Sequence, residues 1–218
     1  MEKIHVLVWS ELTEPKDIYP NGINGAIASY LSKFSDLKVK TSQFPDPEQG
    51  LSRDLLQWCD VLIWFGHAKH KDVSDENVER IVERVWDGMG FIPLHSSHLS
   101  RPLISLLGRT CRIGSWDEDG MPEKLYVIED HPITEGVENF ILPHTETYGE
   151  PFDVPPPESI LFISIFHDGT IFKSGVTWRR KKGRIFYFRP GHETYPIFYE
   201  EKVLEIIRRG VYWASFSL

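Results

Sequence analysis

Short continuous apolar runs alternate along the chain with segments whose apolar residues recur every three or four positions, and this alternation predicts its elements. Residues 4–9, 37–43, 60–66 and 90–94 are strand candidates, with 60–66 (DVLIWFG) the clearest buried one. A helix is expected near 24–34 and another from Ser52, as N-cap, to about residue 58. Ser74 can cap the next, which ends near Gly88. There Val78, Ile81, Val82 and Val85 form one apolar stripe opposite Glu76, Glu79, Arg80 and Glu83. A fourth helix is expected around 97–107.

Strand and helix units repeated at this length imply parallel strands, because each helical crossover returns the chain to the same edge of the sheet. The expected fold class is α/β: a doubly wound, mainly parallel sheet with helices on both faces. Residues 109–157 break the rhythm, being rich in Asp, Glu, Gly and Pro, with short strand candidates near 125–128 and 140–142. They read as an irregular insertion on a single domain spanning 1–218. Regularity returns with strands at 159–166, 174–178 and 184–188. The last two are joined by the basic turn 179–182, with Gly183 expected to supply the turn conformation. A closing helix at 200–213 carries Val211, Tyr212 and Trp213, and Phe216 follows; these pack either on the sheet or on a second subunit, which leaves a homo-oligomer open.

Composition narrows the partners. The 24 Lys and Arg against 32 Asp and Glu give a formal charge of −8, which argues against nucleic acid as a partner. No stretch is long and apolar enough to cross a bilayer, so no membrane partner is expected. The 2 cysteines, Cys59 and Cys111, are too few for a disulfide framework. Because the N-terminus runs into a strand without a signal-peptide pattern, a reducing cytoplasm is the expected compartment. With no GxGxxG and no phosphate-loop lysine, no nucleotide cofactor is expected.

The chain also has 9 histidines, and six of them closely follow apolar runs: His67, His70, His95, His98, His144 and His192. In open α/β sheets ligands bind beyond the carboxyl ends of the strands, so these positions converge on one edge. Imidazoles with a carboxylate suit a divalent metal, zinc first, with manganese, iron or nickel also compatible. A His and Glu pair beside a hydroxyl is the other chemistry, as in a nucleophilic triad. Each histidine taken alone is equally well a loop or cap residue with satisfied hydrogen bonds. Among the aromatics, Trp64, Trp116, Tyr148, Trp178 and Tyr195 are candidates for a sugar pocket, with core packing the blander role for Trp64 and Trp178.

Four stretches carry a resemblance: 61–67 (VLIWFGH), 90–96 (GFIPLHS), 130–136 (DHPITEG) and 183–193 (GRIFYFRPGHE). In this order they resemble the ThuA-like, trehalose utilisation family. The resemblance implies a flavodoxin-like fold similar to class I glutamine amidotransferases. It also implies a role in using trehalose or related disaccharides, including keto-sugar derivatives made by partner dehydrogenases. An amidotransferase places a catalytic Cys at a sharp turn after one strand and a His and Glu after a later one. Here the turn falls near His95, Ser96 and Ser97 without a Cys, and the later pair corresponds to His192 and Glu193, so glutaminase chemistry lacks its nucleophile.

The expectation is therefore a metal-dependent hydrolase or isomerase of carbohydrate metabolism with a small sugar substrate. His67, His95 and His192 are its imidazoles, Glu146 a carboxylate ligand or base, and Glu193 an orienting group. His70, His98 and His144 are second choices. Two alternatives stand beside it. One is a metal-free hydrolase using Ser96 or Ser97 with His192 and Glu193; the other is a non-catalytic sugar-binding or regulatory protein on the amidotransferase scaffold.

Overall fold

A computed structural model describes residues 3–216. In chain order its elements are β1 (Ile4–Ser10), α1 (Gly22–Leu31), β2 (Leu37–Gln43), α2 (Arg53–Trp58), β3 (Val61–Phe65), α3 (Asp75–Asp87), β4 (Gly90–Leu94) and α4 (Arg101–Leu107). Then follow β5 (Ser115–Asp117), β6 (Glu123–Val127), β7 (Phe140–Leu142), β8 (Thr147–Gly149), β9 (Ser159–Phe166), β10 (Ile171–Arg180), β11 (Gly183–Phe188) and α5 (Glu201–Ala214).

Among the described residues, nine strands make one sheet in the order β2-β1-β3-β4-β11-β10-β9-β6-β7. The first five run parallel, and the remaining four extend the sheet antiparallel. Both faces of β3 and β4 are covered, which is why these strands are buried throughout, whereas the edge strand β2 alternates with exposed Lys and Thr. Val6, Val8 and Ile63 point to the side of α1 and α5, where they meet Ile23, Ile27, Val203 and Ile207. Leu7, Trp9, Leu62 and Trp64 point the other way, to α3 and α4, with Ile81, Val85, Leu103 and Leu107.

The capping signals work locally. Ser52 Oγ accepts from Leu55 N–H at the start of α2, and Ser74 Oγ from Asn77 N–H at the start of α3, both at 3.3 Å. Helix α5 lies flat on its own sheet: a Cβ on Gly90 would stand 2.6 Å from the Ala214 Cβ, and one on Gly210 2.7 Å from the Phe186 ring. Val211 and Trp213 are buried in that contact, whereas Phe216 stays exposed beside the Arg184 guanidinium.

Three details depart from the sequence reading. The helix expected at 97–107 is two pieces, a 3-10 turn at His95–Leu99 and then α4, with Ser100 extended between them. Pro102 is tolerated only in a first turn, so the helix restarts just before it. In the β10–β11 turn it is Lys181 that takes positive φ, at 51°. Gly183 already belongs to β11, and glycine is needed there because a Cβ would lie 2.1 Å from the Val85 carbonyl oxygen. Lastly, the stretch 109–157 is woven into the architecture: β6 and β7 extend the central sheet, and β5 and β8 pair as a two-stranded ribbon. Among the described residues no helix is long and apolar enough to cross a membrane.

Candidate functional site

The carboxyl ends of β3, β4 and β11 meet at one edge of the sheet. At the end of β4 the chain turns sharply through His95, whose φ of 51° lies in the left-handed region that residues with a Cβ rarely occupy. The buried His95 carbonyl accepts the Tyr187 hydroxyl at 2.9 Å, and its Nδ1–H donates to the Arg189 carbonyl at 3.2 Å. That second bond leaves Nε2 of the neutral ring as a free lone pair. Gly191 permits the approach, since a Cβ there would lie 2.9 Å from the His95 Cβ.

Glu146 arrives on the segment leading into β8. Its backbone is held by Arg189, which donates from Nη1 to the Glu146 carbonyl at 2.7 Å and to Thr145 Oγ1 at 3.2 Å. Arg189 is itself buried, and its charge is met by buried Glu123 on β6, which also accepts from Ser164 Oγ. The Glu146 Oε2 that results lies 3.0 Å from His95 Nε2 and 3.7 Å from His192 Nε2. All three atoms are buried without an aligned hydrogen bond, and one donor atom from each residue falls within 4.8 Å of the others. The close approach of Glu146 Oε2 to His95 Nε2 needs positive charge at the contact, either a proton on Nε2 or a cation between the two. Donors about 2.0–2.2 Å from a tetrahedral zinc would stand about 3.3 Å apart, so the spacing suits a small divalent ion.

His192 has two neighbours at Nδ1, the Thr194 amide at 3.0 Å and the Thr194 hydroxyl at 2.8 Å. Donation from the amide puts the ring proton on Nε2, whereas donation to the hydroxyl frees Nε2 as a ligand. Burial, then the neighbouring His95, depress the His192 imidazole to about 4. For Glu146, burial works upward, but the His95 contact and the charges of His95, His192 and Arg189 together hold the carboxyl below its usual range.

His67 stands outside this trio. Its Nε2 is 3.0 Å from Glu193 Oε1 and its Nδ1 3.3 Å from Ser96 Oγ. The Glu193 hydrogen bond raises the His67 pKa against the opposing effect of burial. Burial pushes the Glu193 carboxyl up, yet the His67 bond and the charges of His192 and His67 bring it down to about 2. Ser96 Oγ donates to the Gly66 carbonyl at 2.8 Å, and Ser97 Oγ accepts from Gly66 N–H at 2.8 Å while donating to the Trp64 carbonyl at 3.1 Å. Both hydroxyls are thus committed to the end of β3. The base beside Ser96 is His67, whereas the sequence pairs this serine with His192.

His70 and His98 line the same cleft as His67 without joining the trio, and His144 lies outside it. His98 is buried with Nδ1 donating to the Cys111 carbonyl at 2.6 Å, and burial depresses it to about 4. His70 is depressed to about 4 by burial, then by the charge of His67, and lies 3.9 Å from Glu11 Oε1. His144 is exposed and bonds the Gly120 carbonyl. Cys59 and Cys111 are buried free thiols, both pushed up to about 12 by burial.

Two functional residues escaped the sequence reading. Glu11, fully buried just beyond β1, accepts the N–H groups of His67, Ala68 and Lys69 on a single oxygen, Oε2, at 2.9, 2.7 and 2.9 Å. It fixes the loop that carries His67 and His70. Arg189 positions both His95 and Glu146. Each is a charged residue directly after an apolar strand, the same signal that picked out the histidines.

A cleft of about 460 Å³ opens beside the trio, lined by His67, Ser96, Glu118, Glu146 and Tyr148, with Trp116 at its mouth. Glu118 also brings a carboxylate oxygen within 4.8 Å of donor atoms of His192 and Glu193, a second group able to hold an ion. Of the other aromatic candidates, Trp64 and Trp178 are core residues, and Tyr195 lies over His192 with ring centroids 4.7 Å apart.

The sequence matches the family described as ThuA, trehalose utilisation, over residues 5–214. No curated protein matches it. Among solved structures, a ThuA-like protein from Parabacteroides merdae is similar with a TM-score of 0.72 at 15% identity, over 99% of this chain and 91% of that one. A cytoplasmic protein from Salmonella typhimurium has a TM-score of 0.65 at 12% identity, over 97% and 99% of the two chains. A glutamine amidotransferase from Thermotoga maritima has a TM-score of 0.62 at 14% identity, over 99% of each. At these identities the likeness is one of fold.

Proposed function

The chain belongs to the ThuA, or trehalose utilisation, family, and from that premise we propose that it is a metal-dependent enzyme, hydrolase or isomerase, acting on a disaccharide or its keto-sugar derivative. The observation that carries this is the convergence of His95 Nε2, Glu146 Oε2 and His192 Nε2, buried and without aligned partners, beside a cleft. A divalent ion bound there would supply Lewis-acid polarisation of a sugar oxygen and lower the pKa of bound water. The residues themselves do the rest. The Arg189 carbonyl accepts a hydrogen bond from His95 Nδ1–H, which in the neutral imidazole places the ligating lone pair on Nε2. Glu146 supplies negative charge, and the His67–Glu193 pair holds a proton at the cleft wall for an oxygen bound there. Without a cysteine at the turn after β4, the glutaminase route has no nucleophile. Two buried free thiols suit a reducing cytoplasm.

A second reading has its own support. The Thr194 amide bond to His192 Nδ1 favours an Nε2 proton directed at Glu146, an acid–base pair working without metal. The ring nitrogens of His192, followed by 15N NMR, separate the two: the metal reading expects the Nδ1–H tautomer in loaded protein. Activity is tested on a panel of disaccharides and 3-keto-disaccharides with metal-stripped and reloaded protein. The expected result is turnover restored by one divalent ion. Turnover unaffected by stripping supports the acid–base reading, and binding without turnover supports a sugar-binding protein.

A further inference from the structure

We propose that Trp116 is the stacking platform for a pyranose ring, an assignment that rests on the carbohydrate reading above. Trp116 on β5 lies directly opposite Tyr148 on β8, and directly opposed residues of an antiparallel pair share a face. The buried Tyr148 ring in turn stacks on His95, with centroids 5.3 Å apart and planes at 26°. Aromatic surface therefore leads from the mouth of the cleft to the His95 imidazole. Trp9, Trp64 and Trp178 are fully buried, whereas Trp116 is 63% exposed at the edge of a cavity. Leu99, 36% exposed, lines the same cleft, so the exposed indole belongs to an apolar surface of the cavity and is not an isolated exposed side chain.

The cleft lining is of two chemical kinds. Leu99, Ile113 and Trp116 are apolar, while Glu118, Glu146 and Arg112 are charged. A pyranose shows C–H groups on its faces and hydroxyls around its rim, so it fits a flat ring on one side and hydroxyl-accepting carboxylates on the other.

Calorimetric titration of the whole protein with trehalose and with a keto-disaccharide tests this, comparing wild type, Trp116→Ala and Trp116→Phe. Because the indole is exposed, both variants should melt within a few degrees of wild type. The expected result is binding of the sugar weakened about tenfold or more by Trp116→Ala and less than about threefold by Trp116→Phe. Sugar binding equal in wild type and Trp116→Ala overturns the platform assignment and leaves the carbohydrate reading standing. If wild type binds neither trehalose nor a keto-disaccharide, the carbohydrate reading falls and takes the platform with it.

Discussion

Glu193 Oε1 stands 3.0 Å from His67 Nε2, and that contact takes the His67 imidazole away from the three side chains converging beside it. The sequence groups His67 with His95, His192 and Glu146 as ligands; the geometry gives it a separate partner. His67→Ala should therefore change metal affinity by less than about threefold, whereas Glu146→Gln should lower it by about a hundredfold or more. Titration of stripped protein with zinc distinguishes them, and loss of binding in His67→Ala would return His67 to the ligand set.

Glu11 gathers three successive amides onto one carboxylate oxygen. Glu11→Gln keeps an acceptor oxygen for those amides but removes the charge that strengthens the three bonds, so it should cost about 1–3 kcal/mol of stability. Amide exchange at His67, Ala68 and Lys69 should speed up together. Unchanged melting and unchanged protection would contradict a positioning role.

The strand and helix alternation, the mainly parallel sheet and its cover of helices on both faces were legible because hydrophobic period is a local signal. What could not be read is the partner of each side chain. His95 and Glu146 lie about fifty positions apart, and what joins them is Arg189, whose carbonyl and guanidinium serve one residue each. Such a bridge depends on how β6, β8 and β11 come together across the sheet, which no window of sequence contains. The turn at Lys181 failed differently: Gly183 suggested a flexible turn residue, but its lack of a side chain serves packing against Val85.

His98 gives a pH test remote from the trio. Its pKa is about 4 in the folded protein, against about 6.5 for an exposed histidine, because burial disfavours the cation. Between these values the unfolded chain binds a proton that the folded one refuses, so stability is full above about pH 6.5 and falls as pH drops toward 4. His70, also near 4, facing Glu11 and His67, adds a second such loss in the same window. Thermal melting from pH 7.5 to 5 should show a fall in Tm that becomes shallower in His98→Gln, compared slope with slope. A Tm that is flat or rises on acidification in wild type would contradict it.

The central claim is that His95, Glu146 and His192 hold a divalent ion, and the most direct measurement is metal content and uptake of untagged protein. Wild type should carry or take up about one divalent ion per chain. Uptake should be lost in His95→Ala and Glu146→Ala and should weaken as pH falls below about 6.5, where free imidazoles protonate. Wild-type protein that takes up neither zinc, manganese, iron nor nickel, or that binds one of them as tightly as the His95→Ala and Glu146→Ala variants do, would contradict the account.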